Sequence, residues 1–81
     1  MRIYDKKDDK TMRNIALFLT FEEMSELRDS IQSMLDGRMF GSHEHIDDSN
    51  YEHEITIAMY KENERNSDFS ERANRVLIDD E

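Results

Sequence analysis

The stretch Asn14–Gly37, NIALFLTFEEMSELRDSIQSMLDG, decides the fold class. Thr20 and Glu23 are spaced as a capping box, in which each residue's side chain binds the other's backbone N–H. The pattern therefore predicts a helix that begins at Thr20. The continuous apolar run Ile15–Leu19 directly before it predicts a buried strand that leads into the helix.

The helix has two chemically distinct faces. Side chains predicted to face the core recur at three- and four-residue steps: Met24, Leu27, Ile31, Met34 and Leu35. The opposite face is acidic and carries Glu22, Glu26, Asp29 and Asp36. The only arginine of the helix, Arg28, is predicted to lie off this acidic line, and Gly37 is predicted to be the left-handed cap.

The remaining elements are shorter. Residues 1–4 are a candidate edge strand and are followed by a charged turn, and residues 38–50 are predicted to be a loop. Residues 54–60 alternate between apolar and polar side chains, which predicts a strand. Asp68 and Glu71 are spaced to cap a second helix.

These elements predict a small α+β domain with the order β(β)αβα. A two- or three-stranded sheet would pack with one long amphipathic helix and a shorter C-terminal helix. The long connection between the two main strands favours a right-handed parallel crossover, and antiparallel pairing stays open. We expect one domain over residues 1–81 and a homodimer, because a chain of 81 residues buries little core by itself.

Charge is the strongest compositional feature. Twenty acidic and eleven basic residues leave a net charge of −9, which argues against direct binding of nucleic acid or anionic membrane and favours basic partners. The alternative is that acidity only keeps the protein in solution. The chain has no cysteine and no apolar run long enough to span a bilayer, so we expect a cytoplasmic protein.

Three histidines are the residues that most resemble a metal-binding site in this sequence. His43 and His45 are two residues apart and point the same way on an extended backbone, and His53 follows. Imidazoles with a carboxylate suit a divalent ion, although the spacing matches no established metal motif. The alternative is a solvated polar loop. Because no nucleophile motif or phosphate-binding glycine loop is present, we predict neither an enzyme nor a cofactor.

The helix carboxylates are the stronger candidate site. Their axial separations are roughly 6, 4.5 and 10.5 Å, comparable to the spacing of phosphates along a nucleic-acid strand. Like charges at such steps destabilise a helix slightly, so a helix built only for stability would interleave basic residues. Acidic residues of the predicted loop would extend the same field: Glu44, Asp47 and Asp48. A merely solvated acidic face stays the alternative.

The segments LTFEEMSEL and HEHIDDSNYEHEITIAMY, within residues 14–60, resemble a group of short bacterial proteins. The resemblance implies a strand, a capped helix, a histidine-bearing loop and a second strand. It implies no mechanism, because the group has no assigned activity.

In type rather than motif, the small, acidic, cysteine-free chain resembles phage-encoded host-takeover proteins. That resemblance implies an inhibitor that presents a DNA-like surface to a basic host protein, such as the nucleoid protein HU or RNA polymerase. Other members of the type inhibit a metabolic enzyme by protein–protein contact. A metal-binding module at the histidines is the third alternative.

Overall fold

The computed structural model describes residues 1–81 and contains six regular elements. In chain order these are β1 (Ile3–Asp5), β2 (Lys10–Met12), α1 (Phe21–Gly37), β3 (His43–Asp47), β4 (Glu54–Ala58) and α2 (Glu71–Asp79). β1 pairs with β2 and β3 with β4, giving two antiparallel sheets of two strands. The predicted α+β class is confirmed, with the long helix packed on a sheet. None of the helices has the length and apolar character needed to cross a membrane.

The chain divides into two compact units. The α1 unit comprises residues 18–59 and contains α1, β3 and β4. The α2 unit comprises residues 1–17 and 60–81 and contains β1, β2 and α2. Buried apolar side chains are few: Met34 and Ile46 in the α1 unit and Val76 in the α2 unit. Most apolar side chains of each unit are therefore only partly covered.

The start of α1 is closed by reciprocal hydrogen bonds between Thr20 and Glu23. Thr20 Oγ1 accepts a hydrogen bond from the Glu23 backbone N–H at 3.2 Å. The Glu23 carboxylate accepts one from the Thr20 N–H at 2.9 Å. The predicted capping box is confirmed, and it satisfies N–H groups that the first turn of a helix leaves without partners.

The end of α1 differs from the prediction by one residue. Gly37 is the last helical residue, and Arg38 adopts the left-handed conformation with a φ of 48°. The helix closes through hydrogen bonds from Arg38 N–H to Leu35 O and from Met39 N–H to Met34 O. A Cβ at position 37 would lie 2.9 Å from Met39 Cγ, so a larger residue there would require the Met39 side chain to move.

Residues 38–50 are not simply a loop, because they contain β3. This strand pairs with β4 in antiparallel register, with Glu44 opposite Ile57 and Ile46 opposite Ile55. The favoured parallel crossover from residues 15–19 to β4 is wrong, because β3 is the only strand that pairs with β4 and that pairing is antiparallel. The sequence did not predict β3, because HEHID has one aliphatic side chain and lacks the alternation of apolar and polar residues that predicted β4.

The predicted strand Ile15–Leu19 is also wrong. These residues form an irregular connection between β2 and α1. Each observed strand pairs within a hairpin whose partner is a few residues away, and such short loops close at low entropic cost. The apolar run has no strand beside it, and Phe18 is 93% exposed.

In the α2 unit, the helix begins later than predicted. Ser70, and not Asp68, is the N-cap, since its Oγ accepts a hydrogen bond from the Ala73 N–H at 3.0 Å. Asn74 is buried, and its side-chain amide both accepts a hydrogen bond from the preceding loop and donates one to it. Its side chain accepts from the Asn66 N–H at 2.8 Å and donates to the Asn66 carbonyl at 2.9 Å.

A second set of contacts joins the N-terminal hairpin to α2. Arg72 Nε lies 2.7 Å from Asp9 Oδ1, and its guanidinium lies 5.2 Å from the centre of the Tyr4 ring. Tyr4 OH also donates a hydrogen bond to Asp9. Arg13 pairs with Asp80 at 3.2 Å, so the acidic C-terminal end is held against the hairpin.

We expect Thr20→Ala to destabilise α1 by about 1 kcal/mol, because the N-cap acceptor of the capping box is lost. Thr20→Ser keeps the hydroxyl and should retain most of the stability. Urea unfolding followed by far-UV circular dichroism measures both. Equal unfolding midpoints for the alanine and serine variants would contradict this role of the capping box.

Candidate binding surface

An open groove of about 580 Å³ runs along α1 in the α1 unit. It is lined by Phe21, Glu22, Ser25, Glu26, Asp29, Ser30 and Ser33 of the helix and by Glu44 of β3. Four carboxylates and three hydroxyls thus share one depression. The lining contains no lysine, arginine or histidine.

The helical repeat and the strand pleat together produce this arrangement. Glu22, Glu26 and Asp29 follow one another at four- and three-residue steps, so they lie along one side of α1. Glu44 shares its face of β3 with Ile46, which is buried under α1. The pairing of helix and strand therefore directs a strand carboxylate towards the helix carboxylates.

Four of the seven acidic residues predicted to bind a partner meet in this groove: Glu22, Glu26, Asp29 and Glu44. The other three lie outside its lining. Asp36 accepts a hydrogen bond from the Gln32 amide at 2.8 Å. Asp47 lies opposite Glu54 on the other face of the hairpin, and Asp48 is in the β3–β4 turn.

Arg28 is closer to the acidic line than expected. Its guanidinium lies 3.1 Å from Asp29 Oδ1, and both side chains are exposed, at 72% and 70%. Such a surface pair contributes little to stability because water screens it. The Arg28 guanidinium does offset part of the negative charge of Asp29. The groove carboxylates without a basic neighbour are therefore Glu22, Glu26 and Glu44.

The histidines are divided between two places in the hairpin. His43 and His45 point the same way, as expected for alternate strand residues, and their ring centres are 4.8 Å apart. His45 Nδ1 lies 3.0 Å from Glu54 Oε1 and 2.9 Å from Thr56 Oγ1. His53 instead binds Asp48 at 2.5 Å. No group of three histidine or acidic side chains in the structure is arranged to hold a metal ion.

Asp48 organises the β3–β4 turn. One carboxylate oxygen accepts hydrogen bonds from the backbone N–H groups of Glu52 and His53, and the other contacts the His53 ring. The hydrogen bond and the charge of Asp48 raise the pKa of His53 above its ordinary value of 6.5. The His53 ring and the backbone donors lower the pKa of Asp48 below 3.8.

Sequence analysis missed a second exposed surface on α1. Met24, Ile31 and Leu35 were predicted to face the core, but they are 53%, 43% and 55% exposed. Only Met34 of the predicted stripe is buried, and Leu27 is half-buried. The prediction failed because β3 and β4 present too narrow a layer to cover the whole stripe.

Phe21, which is 82% exposed, was also missed although it lines the groove. A signal for it exists in the sequence. Phe21 immediately follows the N-cap and precedes Ser25 by four residues, so it belongs to the same side of the helix as the carboxylates.

Comparison of the chain with protein-family models, with curated proteins and with solved structures found no match.

We expect Asp48→Asn to lower the pKa of His53 towards 6.5, because the amide keeps the acceptor oxygen of the turn but loses the charge that stabilises the imidazolium. NMR titration of the imidazole protons measures this shift. Asp47→Asn is the matched control, since it removes a neighbouring charge that does not bind His53. An unchanged His53 pKa in the Asp48 variant would contradict the pairing.

The pair also predicts how the hairpin responds to pH. His53 stabilises the folded turn below pH 6.5, and this contribution is lost as pH rises through its raised folded pKa. Asp48 stabilises it above pH 3.8, and this contribution is lost as pH falls through its lowered folded pKa. Unfolding midpoints measured across this range should depend less on pH in the Asp48→Asn variant than in the parent.

Proposed function

We propose that this chain is a small acidic binding protein that inhibits a bacterial host protein by occupying its basic, nucleic-acid-binding surface. A nucleoid protein such as HU, or RNA polymerase, represents the class of partner. The observation that carries the proposal is the groove of the α1 unit, where carboxylates from a helix and a strand converge and no basic side chain lines the wall.

The carboxylates of this groove are available to a partner. Glu22, Glu26 and Glu44 form no hydrogen bond or ion pair within the chain, so their oxygens keep their full capacity to accept. Arginine and lysine side chains donate to carboxylates in short, charge-assisted hydrogen bonds. The net charge of −9 adds a long-range attraction for basic proteins and repels nucleic acids and anionic membranes.

The groove is better suited to arginine than to lysine. Phe21 exposes its ring beside Glu22, and Ser25 adds a hydroxyl one turn further along the helix. A guanidinium can stack on an aromatic face while its N–H groups bind a carboxylate in a forked arrangement. An ammonium has no planar face to stack. Arginine-rich, nucleic-acid-binding surfaces therefore match the lining most closely.

We expect a variant with Glu22→Gln, Glu26→Gln, Asp29→Asn and Glu44→Gln to lose affinity for the basic partner by on the order of ten- to a hundredfold, because each exposed ion pair contributes up to about 1 kcal/mol. The measurement is capture of partners from bacterial lysate at low salt, followed by titration of the purified partner. The affinity of the parent should fall as salt rises, and DNA should compete with it.

A matched control separates the groove from overall charge. Glu52→Gln, Glu62→Gln, Glu64→Gln and Asp79→Asn remove the same number of charges at exposed positions outside the groove. This control should keep most of the affinity. Equal losses in the two variants would show that charge alone acts, and a partner bound equally by all three proteins at every salt concentration would exclude the proposal.

A second candidate function is inhibition of a cytosolic enzyme by shape-based contact, and Tyr51 favours it. Tyr51 is 81% exposed at the β3–β4 turn and has a φ of 57°. A bulky residue in the left-handed region is strained, and glycine or asparagine would fit better. The exposed aromatic ring of Tyr51, held in this strained conformation, is suited to contact with a partner. If this function holds, Tyr51→Ala would abolish capture and the neutralised groove variant would not.

A further inference from the structure

The exposed apolar surface of α1 follows a heptad pattern. Its residues recur at alternating three- and four-residue steps, which correspond to positions a, d, a, d and a of two heptads: Phe21, Met24, Arg28, Ile31 and Leu35. The four apolar members are 82%, 53%, 43% and 55% exposed. We call these five residues the α1 seam. A continuous seam of this kind is the surface through which helices pair.

The hairpin of the α1 unit does not occupy the seam. Met34 and Leu27 are the apolar helix residues that are buried or half-buried, and α1 packs against β3. At 100° per residue, Ile31 and Leu35 lie about 60° and 100° further round the helix than Met34. The seam thus lies beside the strip of α1 that packs on β3, and its four apolar side chains remain exposed.

The distribution of acidic residues on α1 indicates what binds to the α1 seam. Every acidic residue of α1 lies at a heptad position that points away from a partner helix, namely b, c or f: Glu22, Glu23, Glu26, Asp29 and Asp36. The e and g positions beside the seam are uncharged: Ser25, Leu27, Gln32 and Met34. Two copies of a chain with a net charge of −9 repel each other, and α1 offers them one face from which acids are absent.

We propose that two copies of this chain form a homodimer by packing α1 against α1 in antiparallel orientation through the α1 seam. A heptad seam is self-complementary, as a two-fold interface requires. Parallel packing would bring together the acidic first turns, where Glu22 and Glu23 lie. Antiparallel packing separates these acidic turns and opposes the helix dipoles. Arg28 is the central residue of the seam and lies near Arg28 of the second copy in either orientation, so it does not decide between them.

Arg28 fits at the centre of this interface because its charge already has a partner. Asp29 of the same chain lies 3.1 Å from its guanidinium, so the aliphatic stem can cover the seam while the charged end stays at the edge. A polar residue at an a position specifies register and costs stability.

The four apolar side chains expose on the order of 450 Å² per copy, so the interface approaches the ~1,000 Å² of a weak but specific contact.

Sedimentation equilibrium of the full chain tests the proposal through two opposite changes. The parent should pass from monomer to dimer between about 10 µM and 1 mM, as expected for a small interface. Ile31→Glu should weaken the dimer at least tenfold by placing a charge in the seam. Arg28→Leu should tighten it about tenfold by completing the apolar seam, an effect that misfolding does not produce.

Ser33→Glu is the matched control, because it adds the same charge at an f position and should leave more dimer than Ile31→Glu. Added salt should strengthen the dimer by screening repulsion, whereas it weakens binding of a basic partner, so the two proposals fail independently. A parent that stays monomeric at 1 mM, equal effects of the two glutamate substitutions, or a dimer that salt dissociates would overturn this inference.

Discussion

Packing of α1 against β3 is the contact on which the architecture of the α1 unit depends. Its buried apolar residues are one helix methionine, Met34, and one strand isoleucine, Ile46. A two-stranded hairpin is narrow and covers only one side of a helix. The other sides of α1 stay accessible, and the amino acids on them determine what the unit can bind.

That single contact separates two surfaces of opposite character on one helix. On one side of the covered strip lie the groove carboxylates, joined by Glu44 from the strand. On the other lies the α1 seam, where Ile31 and Leu35 are about half exposed. The groove carboxylates and the aliphatic side chains of the seam therefore lie on different sides of α1, and Phe21 is the one residue that the two surfaces share.

The α2 unit is held together differently. Only Val76 is buried among its apolar side chains, and polar contacts supply much of the order. Buried Asn74 binds the loop before α2 through both ends of its amide, and Arg72 joins α2 to the N-terminal hairpin through Asp9. A buried amide with all its bonds made specifies one loop conformation, because any other arrangement leaves polar groups without partners.

The sequence by itself determined the features that depend on neighbouring residues. The capping box of Thr20 and Glu23, the acidic side of α1 and strand β4 all follow from spacings of a few residues, and so does the α+β class. Tertiary structure decided what those features face. Three of the five residues of the apolar stripe remained exposed, Ile15–Leu19 gained no strand partner, and polar β3 became a strand because β4 lay beside it. Periodicity indicates which side chains share a face of a helix, but the burial of that face depends on the width of the layer that packs against it. Strand formation depends on a pairing partner, which the local sequence does not specify.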